Sequence, residues 1–101
     1  MKQPLTIGFI GLGLIGGSIA KAIRYYYPDT RIIAHTRSQA TIDYALNEQI
    51  IDIACDQVDA RFSECDYIFL CAPVEANASY LEILKPLIQP GCILTDVGST
   101  K

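Results

Sequence analysis

The chain has 101 residues, half of them hydrophobic and 19% charged, with a formal net charge of −3. That length allows one domain around one core, and the balance is that of a folded globular chain rather than a disordered one. The negative charge, with eight Lys and Arg that form no run, argues against a nucleic-acid surface, and no apolar stretch approaches the ~20 residues of a membrane span.

The opening segment MKQPLTIGFIG has one early Lys and then a glycine-rich stretch with no cleavage-site pattern, so it does not read as a signal peptide, and the expected compartment is the cytoplasm. Within it, LTIGFIG (5–11) is a short apolar run suited to a buried strand. A helix is predicted from 14 to about 26, with Leu14, Ile15, Ile19, Ala22 and Ile23 on one stripe, and Pro28-Asp29 stops it. Its end carries Tyr25, Tyr26 and Tyr27, of which one or two rings can face a core. RIIAHT (31–36) is a second strand, and Ser38 is an N-cap candidate for a helix over 39–48 with Ile42, Ala45 and Leu46 inward.

A short third strand fits IIDIACD (50–56). YIFLCAP (67–73) is a continuous apolar strand ended by Pro73. A helix over about 75–84 follows with Leu81 and Leu84, and KPLIQPG leads back to a fifth strand, CILTDV (92–97). Strands apolar on both faces and joined by helices imply a parallel sheet covered on both sides. The expected fold is therefore α/β, a Rossmann-type doubly wound parallel sheet in the order 3-2-1-4-5, with residues 1–101 as one dinucleotide-binding domain.

Cys55, Cys65, Cys71 and Cys92 show no C-x-x-C spacing, and Cys71 and Cys92 lie in apolar runs where a thiol serves as a small core residue. Asp52, Asp56, Asp59, Glu64 and Asp66 cluster in sequence without a His or Cys at metal-like spacing. They read as a solvated loop edge, and no metal site is expected.

Gly11, Gly13 and Gly16 stand in the spacing G-x-G-x-x-G, with Gly17 behind them. Alone that pattern is weak, but here it follows a predicted strand, opens a predicted helix and sits in a β-α-β unit of about thirty residues. Gly11 suits the tight turn, Gly13 leaves the backbone open to a pyrophosphate, and Gly16 lets helix and strand pack closely. The amides of the first helical turn, Leu14 and Ile15 included, then face the diphosphate with the positive end of the helix dipole. The competing reading is a glycine-rich turn that binds nothing.

About twenty residues on, an Asp or Glu at the end of the second strand would hold the ribose 2′-hydroxyl of NAD. Thr36, Arg37 and Ser38 stand there instead. A cation and two hydroxyls suit the 2′-phosphate of NADP, at roughly 1.5–3 kcal/mol for a charge-assisted hydrogen bond. The expected cofactor is NADP, with NAD as the alternative should Arg37 be solvated or stack on adenine without discriminating.

GLGLIGGSIAKAI (11–23), CAPV (71–74) and TDVGSTK (95–101) together resemble the nucleotide domain of the prephenate and arogenate dehydrogenases of tyrosine biosynthesis. The resemblance spans essentially the whole chain. Related β-hydroxyacid dehydrogenases usually read G-x-G-x-M-G in the first loop. The resemblance implies oxidative decarboxylation of prephenate to 4-hydroxyphenylpyruvate with NADP or NAD, on a small-molecule substrate and without nucleic acid or membrane. It implies that Ser99 lies beside the substrate hydroxyl and the catalytic base, and that Cys71, Ala72, Pro73 and Val74 flank the cofactor ribose near the nicotinamide. Set apart from the family, Ser99 also suits a turn or helix start after Gly98.

The family's catalytic histidine, substrate-binding arginine and helical dimerisation domain lie downstream of D-V-G-S. The expectation is thus a cofactor domain truncated before its catalytic half, inactive alone, whose full-length form is a homodimer. The single histidine, His35, ends the second strand on the adenosine side, too far from the chemistry to be the base. Arogenate dehydrogenase, another 6-phosphogluconate-type oxidoreductase and a non-catalytic dinucleotide sensor are the competing functions.

Overall fold

A computed structural model of the chain describes residues 5–97. Five strands, β1 (Thr6–Ile10), β2 (Arg31–His35), β3 (Ile53–Ala54), β4 (Tyr67–Leu70) and β5 (Ile93–Asp96), alternate with helices α1 (Leu14–Tyr26), α2 (Gln39–Asn47) and α3 (Val74–Leu84). A short 3-10 helix over Ala60–Glu64 lies between β3 and β4. All four strand pairings are parallel, and the order is β3-β2-β1-β4-β5. The doubly wound α/β fold and the strand order are those expected.

Side-chain alternation assigns the two faces. Ile7 and Phe9 of β1, Ile32 and Ala34 of β2 and the half-buried Tyr67 and Phe69 of β4 pack with Ala20 of α1 and Ala45 of α2. The intervening Ile10, Ile33, Ile68 and Leu70 pack with Phe62 and with Leu84 of α3. A sheet buried on both faces has no polar register to display, which is why its strands read as continuous apolar runs. Gly8, in the centre of β1, is a packing requirement: an added Cβ would stand 2.9 Å from the Phe62 ring and 2.8 Å from Cys65 Sγ.

Three expectations need correction. The inward stripe of α1 is Gly16, Ile19, Ala20 and Ile23, whereas Ala22 is exposed and Ile15 is 51% exposed. Small residues at 16 and 20 let the helix axis approach the sheet, and that rotation turns Ile15 outward. On α2, Ala45 is buried but Leu46 is exposed. The third strand is two residues long because Ile50 and Ile51 close the end of α2, both amides donating to the Ala45 carbonyl. Gln49 makes that reversal with a φ of 59°.

Cys71 and Cys92 pack against the core as expected, but they are not the most buried thiols. Cys55 and Cys65 are the buried cysteines, and Cys71 and Cys92 are half-buried. Among the described residues, no group of three His, Cys, Asp or Glu could hold a metal ion, and no helix is long and apolar enough to cross a membrane.

Within the acidic cluster, Asp52 and Asp66 are structural. The Asp66 carboxylate accepts from the Thr6 amide at 2.8 Å while the Asp66 amide donates to the Thr6 carbonyl at 2.7 Å. Asp52 makes the same clasp on Ile32, 2.8 Å each way. Asp56, Asp59 and Glu64 pair with Arg61 and Arg31. Arg24 completes this edge, donating to the carbonyls of Pro28, Thr30 and Gln49 and to the Asp52 carboxylate at 2.7 Å. Arg24→Met keeps the apolar stem and removes every donor. It is expected to lower the unfolding free energy in urea by about 1.5–3 kcal/mol, and a loss under about 0.5 kcal/mol would show the network to be dispensable.

Candidate functional site

The two edges of the sheet differ in kind. At the N-terminal edge, side-chain carboxylates hold the strand starts. At the C-terminal edge, backbone bonds bring three turns together. The Gly11 amide donates to the His35 carbonyl at 2.6 Å, and the Cys71 amide donates to the Ile10 carbonyl at 2.8 Å. The chain leaves β2, β1 and β4 at one level, and each departing turn lies against the next.

A cleft of about 240 Å³ opens there, lined by Gly11, Leu12, Gly13, His35, Thr36, Arg37, Ser38, Cys71, Ala72, Pro73 and Tyr80. It brings together eight of the residues expected at a cofactor site: Gly11, Gly13, Thr36, Arg37, Ser38, Cys71, Ala72 and Pro73. Gly16 is buried behind the turn. Leu14 and Val74 are the first residues of α1 and α3, and Ile15 follows Leu14 in the first turn of α1, its side chain exposed. Ser99 lies outside the described residues.

Each glycine of the turn has its own task. Gly11 has a φ of +84°, and an added Cβ would stand 2.9 Å from the Ala72 amide nitrogen. Gly11 therefore serves contact between two turns as much as curvature. Gly16 would place a Cβ 3.0 Å from the Gly11 carbonyl and 3.1 Å from Cys71 Sγ, the close helix-to-strand packing its spacing implied. Gly13 is the opposite case: among the described residues, nothing lies within 4 Å of an added Cβ. The open space in front of its backbone is what a phosphate needs.

Electrostatics point the same way. Among the described residues no side chain caps the N-terminus of α1, and its first turn holds no acid, so the positive end of the dipole faces the cleft. At α2, the Ser38 hydroxyl accepts from the Thr41 amide at 3.2 Å, which leaves its own proton free to donate. Arg37 is exposed at the rim and pairs with no carboxylate among the described residues. The described Arg24, Arg31, Arg61 and Lys85 each pair with an acid, and Lys21 sits over the Tyr44 ring. Burial, reinforced by the nearby Asp96 charge, pushes the Cys71 thiol up to about 11. At neutral pH it lines the cleft as a neutral thiol and not as a nucleophile.

Two residues at this edge were not anticipated. Tyr80 of α3 reaches the cleft and contacts His35; no local pattern marks a helical tyrosine for that task. Asn77, also on α3, is 3% exposed. Its Nδ2 donates to the Leu70 carbonyl at 3.3 Å and to the Asp96 carboxylate at 3.2 Å. It thereby joins the ends of β4 and β5, and only its position one turn after Pro73 hinted at such a role.

A fold of parallel strands with an uncapped helix N-terminus at the C-terminal edge is the architecture of nucleotide-binding domains. Comparison with known proteins makes that specific: the prephenate dehydrogenase nucleotide-binding domain family matches residues 19–101, and the chain belongs to that family. The prephenate dehydrogenase of Bacillus subtilis is 40% identical over 97 residues, covering 95% of this chain and 26% of that protein. The cyclohexadienyl dehydrogenase of Zymomonas mobilis is 34% identical over 95 residues, covering 94% of this chain and 32% of that one.

Among solved structures, the arogenate dehydrogenase of Synechocystis superposes with a TM-score of 0.83 at 36% identity, covering 96% of this chain and 34% of that one. The prephenate dehydrogenase of Aquifex aeolicus, in complex with hydroxyphenyl propionate and NAD+, superposes with a TM-score of 0.86 at 25% identity, covering 99% and 35%. The chain thus spans about a third or less of the length of these relatives.

The unequal surroundings of the glycines are measurable. Gly11→Ala adds a backbone clash to the strain of a positive φ, whereas Gly13→Ala adds strain alone. Gly11→Ala is expected to lose about 1–3 kcal/mol more stability than Gly13→Ala in thermal unfolding; equal losses would mean that the contact with Ala72 relaxes freely.

Proposed function

We propose that the cleft binds a nicotinamide dinucleotide, and that NADP is preferred over NAD. The observation that carries this reading is the convergence, on one open cleft, of the Gly11–Gly13 turn, the Thr36–Ser38 turn and the Cys71–Pro73 turn. The amides opening α1 and the space in front of Gly13 suit the diphosphate. The preference follows from charge. Residues 36–38 offer two hydroxyls and a guanidinium that pairs with no acid among the described residues, and a 2′-phosphate gains from each of them.

We extend the reading to oxidative decarboxylation of prephenate to 4-hydroxyphenylpyruvate, with arogenate as the alternative substrate. A bound nicotinamide would supply the hydride acceptor for the ring carbon bearing the hydroxyl. Loss of the carboxylate as CO2 and aromatisation of the ring make the step downhill. The part of this chain is to fix the cofactor: the α1 amides hold the diphosphate, the turn after β2 selects the ribose substituent, and Cys71–Val74 flank the nicotinamide ribose. Ser99 is proposed to lie beside the substrate hydroxyl. His35, on the adenosine side, is not the base. A cytoplasmic homodimer assembled through a helical domain is the accompanying proposal.

The charge in the cofactor preference comes from Arg37, and the test starts there. Arg37→Ala is expected to weaken NADP about tenfold or more, from the loss of roughly 1.5–3 kcal/mol, and to leave NAD nearly unchanged in calorimetric titration. Thr36→Asp is expected to reverse the preference by repelling the phosphate and giving NAD a ribose partner. Equal losses for both cofactors in Arg37→Ala would place the guanidinium on adenine and refute the preference.

A further inference from the structure

We infer that Tyr80 and His35 form the adenine wall of the cleft, with Tyr80 the purine-contacting ring and His35 the group that fixes its position; this rests on the dinucleotide reading above. The two rings meet edge to face, their centroids 5.6 Å apart and their planes at 72°. Both line the cleft that holds the glycine turn. They come from different elements, His35 from the end of β2 and Tyr80 from the middle of α3.

The hydrogen bonds fix which proton is where. His35 Nδ1 lies 3.0 Å from the Cys55 carbonyl oxygen, which can only accept, so Nδ1 carries the proton of the neutral ring. Nε2 is then an acceptor, and the Tyr80 hydroxyl, 3.4 Å away, donates to it. The His35 carbonyl meanwhile accepts from the Gly11 amide at 2.6 Å. One residue therefore ties the glycine turn, the end of β3 and the Tyr80 ring together. Tyr80 is half-buried and packs against the core of that face, so the residue that lines the cleft is also anchored in the fold.

The position selects a base rather than a phosphate or a ribose. Tyr80 and His35 bring no fixed positive charge, unlike Arg37, and an aromatic surface recognises the π-face or edge of a purine without regard to charge. The neighbouring turns are already allotted by their chemistry, the α1 amides to the diphosphate and residues 36–38 to the ribose substituent. An aromatic pair next to the ribose turn is left for the base. At about 240 Å³ the cleft is smaller than the roughly 300–1,000 Å³ of sites that enclose a drug-sized ligand, which fits a place for one part of an extended dinucleotide.

The test uses NAD, NADP, 5′-AMP and nicotinamide mononucleotide against the unaltered chain, Tyr80→Leu and Tyr80→Phe. Tyr80→Leu keeps apolar bulk behind the wall and removes the ring. It is expected to weaken NAD, NADP and 5′-AMP alike by about tenfold, with no change for the mononucleotide, a pattern distinct from that of Arg37→Ala. Tyr80→Phe retains the ring and is expected to lose no more than about threefold. In the unaltered chain, nuclear Overhauser contacts from adenine H2 or H8 of 5′-AMP to the Tyr80 ring protons are expected, and they need no variant to fold. A folded Tyr80→Leu that binds 5′-AMP within twofold of the parent, or the absence of those contacts at saturation, overturns the wall while the dinucleotide reading stands. A parent chain that binds neither NAD nor NADP overturns the dinucleotide reading, and the wall with it.

Discussion

The close approach of the turns after β1 and β4 is the constraint on which the rest of this molecule depends. With no side chain at position 11, the Gly11 backbone lies so near Ala72 that a Cβ would be 2.9 Å from its nitrogen. Gly16 and Cys71 close the same gap from the helix side. Parallel pairing brings the strand ends level, the Gly11 amide ties the turn after β2 to this one through the His35 carbonyl, and the contact with Ala72 brings in the turn after β4. The uncapped start of α1 then faces open space instead of protein. A bulkier turn would preserve the sheet and lose the cleft.

At the opposite edge the backbone groups are taken up by side chains of the same chain. Asp52 and Asp66 occupy the strand-start amides of β2 and β1, and Arg24 takes up the neighbouring carbonyls. A larger cavity, about 430 Å³, lies at this edge between the segments 63–66 and 89–92. It lacks a helix N-terminus, and burial raises the thiols of Cys65 and Cys92 within it, that of Cys65 to about 12. Volume alone would favour this end of the molecule over the glycine turn. Free donors and unopposed positive charge favour the smaller cleft.

Much of this was legible in the sequence because each feature had a local cause. Apolar runs on both faces demanded a doubly covered parallel sheet, and the position of Gly11, Gly13 and Gly16 at a strand-to-helix junction marked the cleft. The turn after β2 showed its missing carboxylate in three letters. What was not legible depends on distance in space. The rotation of α1 that exposes Ile15 and buries Ala20 is set by how near the helix can come to the sheet, which periodicity does not report. Asp52 and Asp66 looked like solvent-facing acids because their partners, the amides of Ile32 and Thr6, are 20 and 60 residues away. Tyr80 and His35 are 45 residues apart, and only the fold makes them neighbours.

The most direct measurement is a map of backbone amide shifts in ¹⁵N-labelled chain titrated with NADP. The account predicts the largest changes at Gly11, Gly13, Ile15, Thr36, Arg37 and Ala72, with Asp52, Asp66, Gly91 and Cys92 unmoved. Changes confined to residues 63–66 and 89–92, or no change at millimolar NADP and NAD, would contradict it.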